Sequence, residues 1–204
     1  MIVIDLKNIS MKFETSDTIF SPMSVDRGTM AMLSQINFTE NDFVLDLGCG
    51  YGVVGILASK LIGCEKVVMC DISEEAITLS KINAELNEVG AVTIIQSDGL
   101  NNIINDNFTL IISNPPYHTD FSVAKNFIEK GYKKLALGGK MYLVTKRLDW
   151  YKNKMTTIFG GVRVMELDGY YVFIAEKRPH KISSTENKEN KNHLSKKLQR
   201  KQRN

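Results

Sequence analysis

From Phe43 onward the chain alternates between short continuous apolar runs and longer segments whose apolar residues recur every three or four positions. The runs Phe43–Leu47, Lys66–Cys70, Val92–Gln96, Phe108–Ile112 and Gly139–Val144 predict strands, because they are short and bounded by Gly, Pro, Asp or Asn. Between them, Val53–Leu61, Glu74–Leu86 and Phe121–Leu137 carry helical periodicity, and Ser73 is placed to cap the second. Strands and helices in alternation predict an α/β fold: a doubly wound, largely parallel sheet with right-handed crossovers and helices on both faces. The last two strands, Val162–Leu167 and Tyr170–Ala175, flank Asp168-Gly169, a dipeptide favoured in two-residue hairpin turns. The sheet is therefore expected to close on an antiparallel pair. Upstream, Ile2–Leu6 and Met11–Phe13 read as short strands of a hairpin leading into the core. After the break at Phe20-Ser21-Pro22, Asp26–Ile36 reads as a helix with Met30, Leu33 and Ile36 on one face and Asp26 as N-cap.

Composition adds a boundary. The 204 residues are 43% hydrophobic, ordinary for a globular domain, and no apolar run reaches the length of a membrane span. The start MIVIDLKNIS does not read as a signal peptide. Three cysteines, Cys49, Cys64 and Cys70, lack CxxC spacing, and the three histidines form no ligand cluster with them. No metal is expected, and a reducing, cytoplasmic location is. The net charge of +3 divides into +6 over residues 180–204 and −3 over the rest. The segments expected are an N-terminal strand extension at 1–19, the main domain at 20–178 and a basic tail at 179–204. The tail is too poor in large apolar residues to offset its ordering entropy and is expected to be disordered. It reads either as an arm tracking nucleic-acid phosphates or as a solvated appendage.

The candidate chemistry gathers at the carboxyl ends of the strands, where such sheets bind ligands. Val44-Leu45-Asp46-Leu47-Gly48-Cys49-Gly50-Tyr51-Gly52 is a strand opening into glycines and then a helix N-terminus, whose free N–H groups face a ligand. Asp71, at the next strand tip, is placed to accept both hydroxyls of a ribose, and Asp98, after the third strand, to accept from an adenine amine. The match of Gly50-Tyr-Gly52-Val-Val-Gly55 to GxGxxG admits a dinucleotide. Asp46 argues otherwise: a carboxylate there repels a pyrophosphate and suits the cationic amino-acid end of S-adenosylmethionine. After the fourth strand comes Asn114-Pro115-Pro116-Tyr117, where two prolines without N–H groups stop the ladder and leave carbonyls beside an amide and a ring. These groups suit the edge and face of a flat, NH2-bearing substrate. Lys146, Arg147 and Trp150-Tyr151 follow the fifth strand on the same sheet edge. They read either as contacts to phosphates and unstacked bases or as a solvated loop with one buried Trp.

Over about residues 20–177 these residues resemble the class I S-adenosylmethionine-dependent methyltransferases, with VLDLGCGYG, Asp71, Ser97-Asp98-Gly99 and NPPY in the family's order. The resemblance implies the family's Rossmann-like seven-stranded sheet with a reversed terminal strand, and methylation of a nitrogen conjugated to a π system. A closer likeness is to the small-domain enzymes that modify a guanine exocyclic amine in small-subunit ribosomal RNA. Phe20-Ser21 followed by Asp26-Arg27-Gly28-Thr29, His118 directly after NPPY, and the Gly160–Val172 ending carry it; Tyr117 replaces the usual Phe. Larger members have an amino-terminal domain that this chain is expected to lack. The implied cofactor residues are Asp46, Gly48, Cys49, Gly50, Gly52, Asp71, Ile72, Asp98, Gly99 and Asn114. Thr29 joins them if the Gly28-Thr29 segment closes over the cofactor rather than merely starting a core helix. Asn114, Pro115, Pro116 and Tyr117 are the implied catalytic loop. The candidate RNA contacts are Lys146, Arg147 and His118, of which His118 either bonds a phosphate or base edge or simply fixes the loop, and the expected partner is ribosomal RNA or the small subunit. A glutamine amide, an adenine amine, or an inactive RNA-binding assembly role are the alternatives.

Overall fold

The computed structural model describes residues 1–16, 25–116 and 121–179. Its main sheet contains β3 (Val44–Leu47), β4 (Val67–Asp71), β5 (Thr93–Gln96), β6 (Phe108–Ser113), β7 (Leu135–Thr145), β8 (Arg163–Leu167) and β9 (Tyr170–Glu176). Their spatial order is β5-β4-β3-β6-β7-β9-β8. All pairings are parallel except those of β9, which runs antiparallel to both β7 and β8. The Asp168-Gly169 turn has φ of 51° and 76°, the positive values such a hairpin requires.

Burial divides the helices into two layers. On one face α1 (Arg27–Leu33), α2 (Val53–Ile62) and α3 (Glu74–Leu86) cover Val44, Met69, Ile112 and Val144. On the other, α4 (Ser122–Lys134) and α5 (Asp149–Phe159) cover Leu45, Leu47, Ile111 and Leu143. Successive residues of β3 thus serve opposite layers, as strand geometry dictates. A 3-10 turn, Cys64–Lys66, joins α2 to β4.

The hairpin of β1 (Ile2–Leu6) and β2 (Ile9–Phe13) is a separate two-stranded sheet. Met11 and Phe13 are fully buried in the first layer. Asn83 of α3 and Asn87, the C-cap of that helix, hold the hairpin's edge. Asn87 exchanges bonds with the Lys12 N–H and C=O at 3.0 and 2.7 Å. Asn83 does the same with Glu14 at 2.7 and 3.0 Å, and its amide also donates to the Tyr51 carbonyl at 2.9 Å.

Three sequence expectations need correction. The helix expected over Phe121–Leu137 ends at Lys134, and Leu135 already pairs with Phe108 as the first residue of β7, ahead of an irregular register. Strand pairing of an apolar residue outweighs its helical spacing here. The segment after Thr145 is not a loop with a buried Trp. It enters α5, whose buried residues are Tyr151, Met155 and Phe159, while Trp150 is half-buried. The first helix stops at Leu33; its buried face runs through Gly28-Thr29 and Ala31–Leu33, leaving Met30 36% exposed.

Candidate active site

The chain leaves β3 for β4 and β5 on one side, then returns to β6 on the other. This reversal opens a crevice at the carboxyl ends of β3 and β6, where open α/β sheets bind ligands. A cavity of about 520 Å³ lies there. It is lined by the glycine loop, the ends of β4 and β5, the start of α1, Asn114-Pro115-Pro116, and Val123 and Phe127 of α4.

The loop is tied down by its neighbour strand. Gly48 and Cys49 donate to the Cys70 carbonyl at 2.9 Å each, and Gly50 donates to Asp71 Oδ2 at 2.9 Å. Asp71 Oδ1 accepts from Ser73 N at 3.0 Å. Asp71 thus braces the loop, and each carboxylate oxygen keeps a lone pair for a further donor. Gly52 caps α2 at φ +100°, and a Cβ there would lie 2.9 Å from Ile56 Cδ1. Gly55 serves close approach: its Cβ would lie 2.4 Å from Met69 Cγ. The GxGxxG spacing therefore reflects turning and packing requirements in addition to any ligand.

Asp46 lies on the α2 face of β3, only 3% exposed, and accepts the Gly55 N–H at 2.8 Å. Burial raises its pKa from 3.8 to about 7 against the lowering effect of that bond, and Asp71 adds to the rise. A cation in the cavity stabilises its charged form. Ile72 lines the cavity 65% exposed, and Gly99 lines it beside the Phe127 ring, while Asp98 stands exposed at the rim. Burial pushes the Cys49 thiol well up and that of Cys70 to about 12, so both stay protonated near neutrality.

Across the crevice, Ser113 anchors the end of β6 by donating to the Leu47 carbonyl at 2.6 Å. Asn114 follows, half-buried, with its Nδ2 donating to Asp26 Oδ2 at 2.9 Å and to Thr29 Oγ1 at 3.0 Å. Pro115 is buried and Pro116 exposed. Thr29 thus belongs to the site as well as to α1. Tyr117 and His118, like Phe20 and Ser21, lie outside the described residues.

Just beyond β7, Lys146 sits 5.0 Å over the Tyr170 ring. Arg147 lies 4.8 Å from the Phe121 ring, which stacks on Trp150 at 4.4 Å and 15°. The sequence reading did not place Asp26, Val123, Phe127 or Tyr170 in the site. The four-residue spacing of Val123 and Phe127 marks one helix face and was a usable signal; the others meet through the fold alone. Among the described residues no cluster of His, Cys, Asp or Glu is placed to hold a metal ion, and no helix is long and apolar enough to cross a membrane.

The sequence model for the methyltransferase small domain matches residues 10–174. The chain belongs to the methyltransferase small domain family. This small-domain methyltransferase is 30% identical over 178 residues to the uncharacterised protein YbxB of Bacillus subtilis, spanning 84% of this chain and 89% of that protein. It is 32% identical over 162 residues to ribosomal RNA small subunit methyltransferase C of Pseudoalteromonas atlantica, spanning 78% of this chain and 47% of the relative. The methyltransferase thus spans about half the length of the ribosomal RNA enzyme it matches. Among solved structures, the T. thermophilus 16S rRNA N2 G1207 methyltransferase RsmC, in complex with AdoMet and guanosine, superposes with a TM-score of 0.77 at 24% identity, covering 87% of this chain and 50% of that one. A methyltransferase from Pyrococcus furiosus gives 0.72 at 20% identity, covering 83% and 90%. At these identities both likenesses speak for the fold alone.

Proposed function

We propose that the chain transfers a methyl group from S-adenosylmethionine to the exocyclic amine of a guanine in small-subunit ribosomal RNA. The observation that carries this reading is the orientation of Asn114. Both its amide hydrogens are engaged by Asp26 and Thr29. Oδ1, the acceptor end of this cavity-lining side chain, is the end that Asp26 and Thr29 do not hold.

The cavity suits the cofactor chemically. The glycine loop lets a ligand approach its backbone, Asp71 and Asp98 are acceptors for hydroxyl and amine groups, and Asp46 is a buried carboxylate for a cationic centre. Ile72, Gly99 and Phe127 offer apolar surface to a purine. When bound, S-adenosylmethionine supplies a methyl on sulfonium sulfur, which keeps the electron pair and becomes a neutral thioether.

The remaining work is positioning. A base amine is a poor nucleophile because its lone pair is delocalised into the ring. Asn114 Oδ1 and the Pro115 carbonyl accept its two N–H bonds and localise that lone pair on nitrogen. The nitrogen forms the new N–C bond and loses one proton to solvent. Tyr117 stacks on the base, contributing roughly 1–3 kcal/mol by the usual worth of such contacts. Placement of this kind needs no strong acid or base. Lys146, Arg147 and His118 contact RNA, and a paired guanine must be flipped out to reach the loop. Residues 20–178 form the catalytic domain, 1–19 its extension, and the +6 tail an arm for RNA phosphates.

The test is to incubate small-subunit particles and naked ribosomal RNA from a deletion strain with the protein and labelled cofactor, followed by nucleoside mass spectrometry. N2-methylguanosine is expected, with Asn114→Ala reduced by about 10²–10³ in rate. Label in N6-methyladenosine or in a protein band, or none in RNA, overturns the guanine assignment.

A further inference from the structure

Asp26 stands 88 residues from Asn114 and 144 from Tyr170 in the chain, yet all three meet at the site. Its Oδ2 accepts the Thr29 N–H at 3.0 Å, which caps α1, and the Asn114 amide at 2.9 Å. Its Oδ1 accepts the Tyr170 hydroxyl at 3.1 Å. Tyr170 is 5% exposed and is the first residue of the reversed strand β9. Gly28 permits the assembly: a Cβ there would lie 2.6 Å from Tyr170 Cδ1 and 2.8 Å from Asp26 Oδ2.

The chemistry of this junction is one-sided. An ionised carboxylate accepts hydrogen bonds and donates none. An asparagine amide has a donor end and an acceptor end, and its two orientations are otherwise nearly equal in shape. Against Asp26 only the donor end of Asn114 is tolerated, because the flipped amide would set oxygen against oxygen. Thr29 Oγ1 accepts the second amide hydrogen at 3.0 Å and fixes the plane. We propose that Asp26 is a positioning residue that locks Asn114 with its oxygen toward the substrate amine, and that Tyr170 fixes the carboxylate in turn. This deepens the function proposed above and rests on it for the role of the Asn114 oxygen, though the lock itself is a property of the folded chain.

Two substitutions separate locking from helix capping. Asp26→Ser keeps a capping oxygen for the Thr29 N–H but is too short to reach Asn114 and Tyr170. In Asp26→Asn the amide oxygen can replace Oδ2 toward both Thr29 and Asn114, while its NH2 faces the Tyr170 oxygen. The readouts are the methylation rate and the side-chain amide NMR signal of Asn114, assigned by its loss in Asn114→Ala. For Asp26→Ser the signal should move and its hydrogen exchange accelerate, with kcat falling about ten- to a hundredfold and KM for RNA changing less than about threefold. Asp26→Asn should restore the signal and most of the rate. An unchanged Asn114 signal in Asp26→Ser overturns the lock. So does Asp26→Asn with a restored signal but a rate as low as that of Asp26→Ser, which would assign the role to charge. A parent protein that methylates no RNA, yet shows the Asp26-dependent signal, upholds the lock and overturns the substrate.

Discussion

Replacing Asp46 by Asn should stabilise the ligand-free protein above neutral pH and weaken its hold on the cofactor. Asp46 is 3% exposed, and its pKa stands at about 7 rather than 3.8. The native state therefore holds a proton that the unfolded chain releases between those values, so the group's favourable contribution is complete below pH 4 and is lost as pH rises to 7. The interval from 3.8 to about 7 corresponds to at most ~4 kcal/mol at 1.36 kcal/mol per pH unit. An asparagine keeps an acceptor for the Gly55 N–H and does not ionise. In urea unfolding between pH 4 and 8.5, the stability gap between variant and parent should widen in the variant's favour up to pH 7 and then level off. The full widening would equal roughly 8–16 °C in Tm for a chain of this size. Calorimetry at pH 8 should show S-adenosylmethionine binding reduced about tenfold or more, as expected for losing a charge opposite a cation. A gap that does not change with pH would refute the buried-carboxylate account. Unchanged cofactor affinity would refute the pairing of Asp46 with the cofactor.

Three further outcomes follow from the packing and the rim. Gly55→Ala places a methyl 2.4 Å from Met69 Cγ and should cost about 1–3 kcal/mol in urea unfolding; a neutral result means that α2 moves freely. Asn83→Ala leaves the Glu14 backbone and the Tyr51 carbonyl without their partner and should cost about 1–3 kcal/mol, with faster amide exchange in β2 and the glycine loop by mass spectrometry. Arg147→Ala should weaken RNA binding and lower the salt slope of log K by about one, measured by anisotropy from 50 to 200 mM salt; an unchanged slope excludes a phosphate contact.

The sheet was legible because its strands are continuous apolar runs separated by turn residues, a signal that survives without any tertiary information. Even the reversed β9 announced itself through Asp168-Gly169. The end of α4 was not legible, because Leu135–Leu137 suit a helix face as well as a strand, and only pairing with Phe108 decides. The α5 helix carried a readable stripe, Tyr151, Met155 and Phe159, overlooked because cations and aromatics beside it read as a loop. In the site, the glycine loop, Asp71 and Asn114 were visible as motifs. Asp26 was visible only as a helix cap, since nothing local indicates that a cap also reaches Asn114 and Tyr170.

Asn83 of α3 and its C-cap Asn87 bear on how the chain meets other proteins. Each presents its amide to one backbone N–H and one C=O of the N-terminal hairpin, as a neighbouring strand would. The spacing permits it: residues four apart on a helix are about 6 Å apart along its axis, and residues two apart on a strand are about 6.8 Å apart. Asn83 and Asn87 therefore act as two surrogate peptide groups laid along the edge of Lys12–Glu14. The β2 edge occupied in this way offers no ladder for a second chain to extend, so two side chains guard that edge against strand-to-strand association.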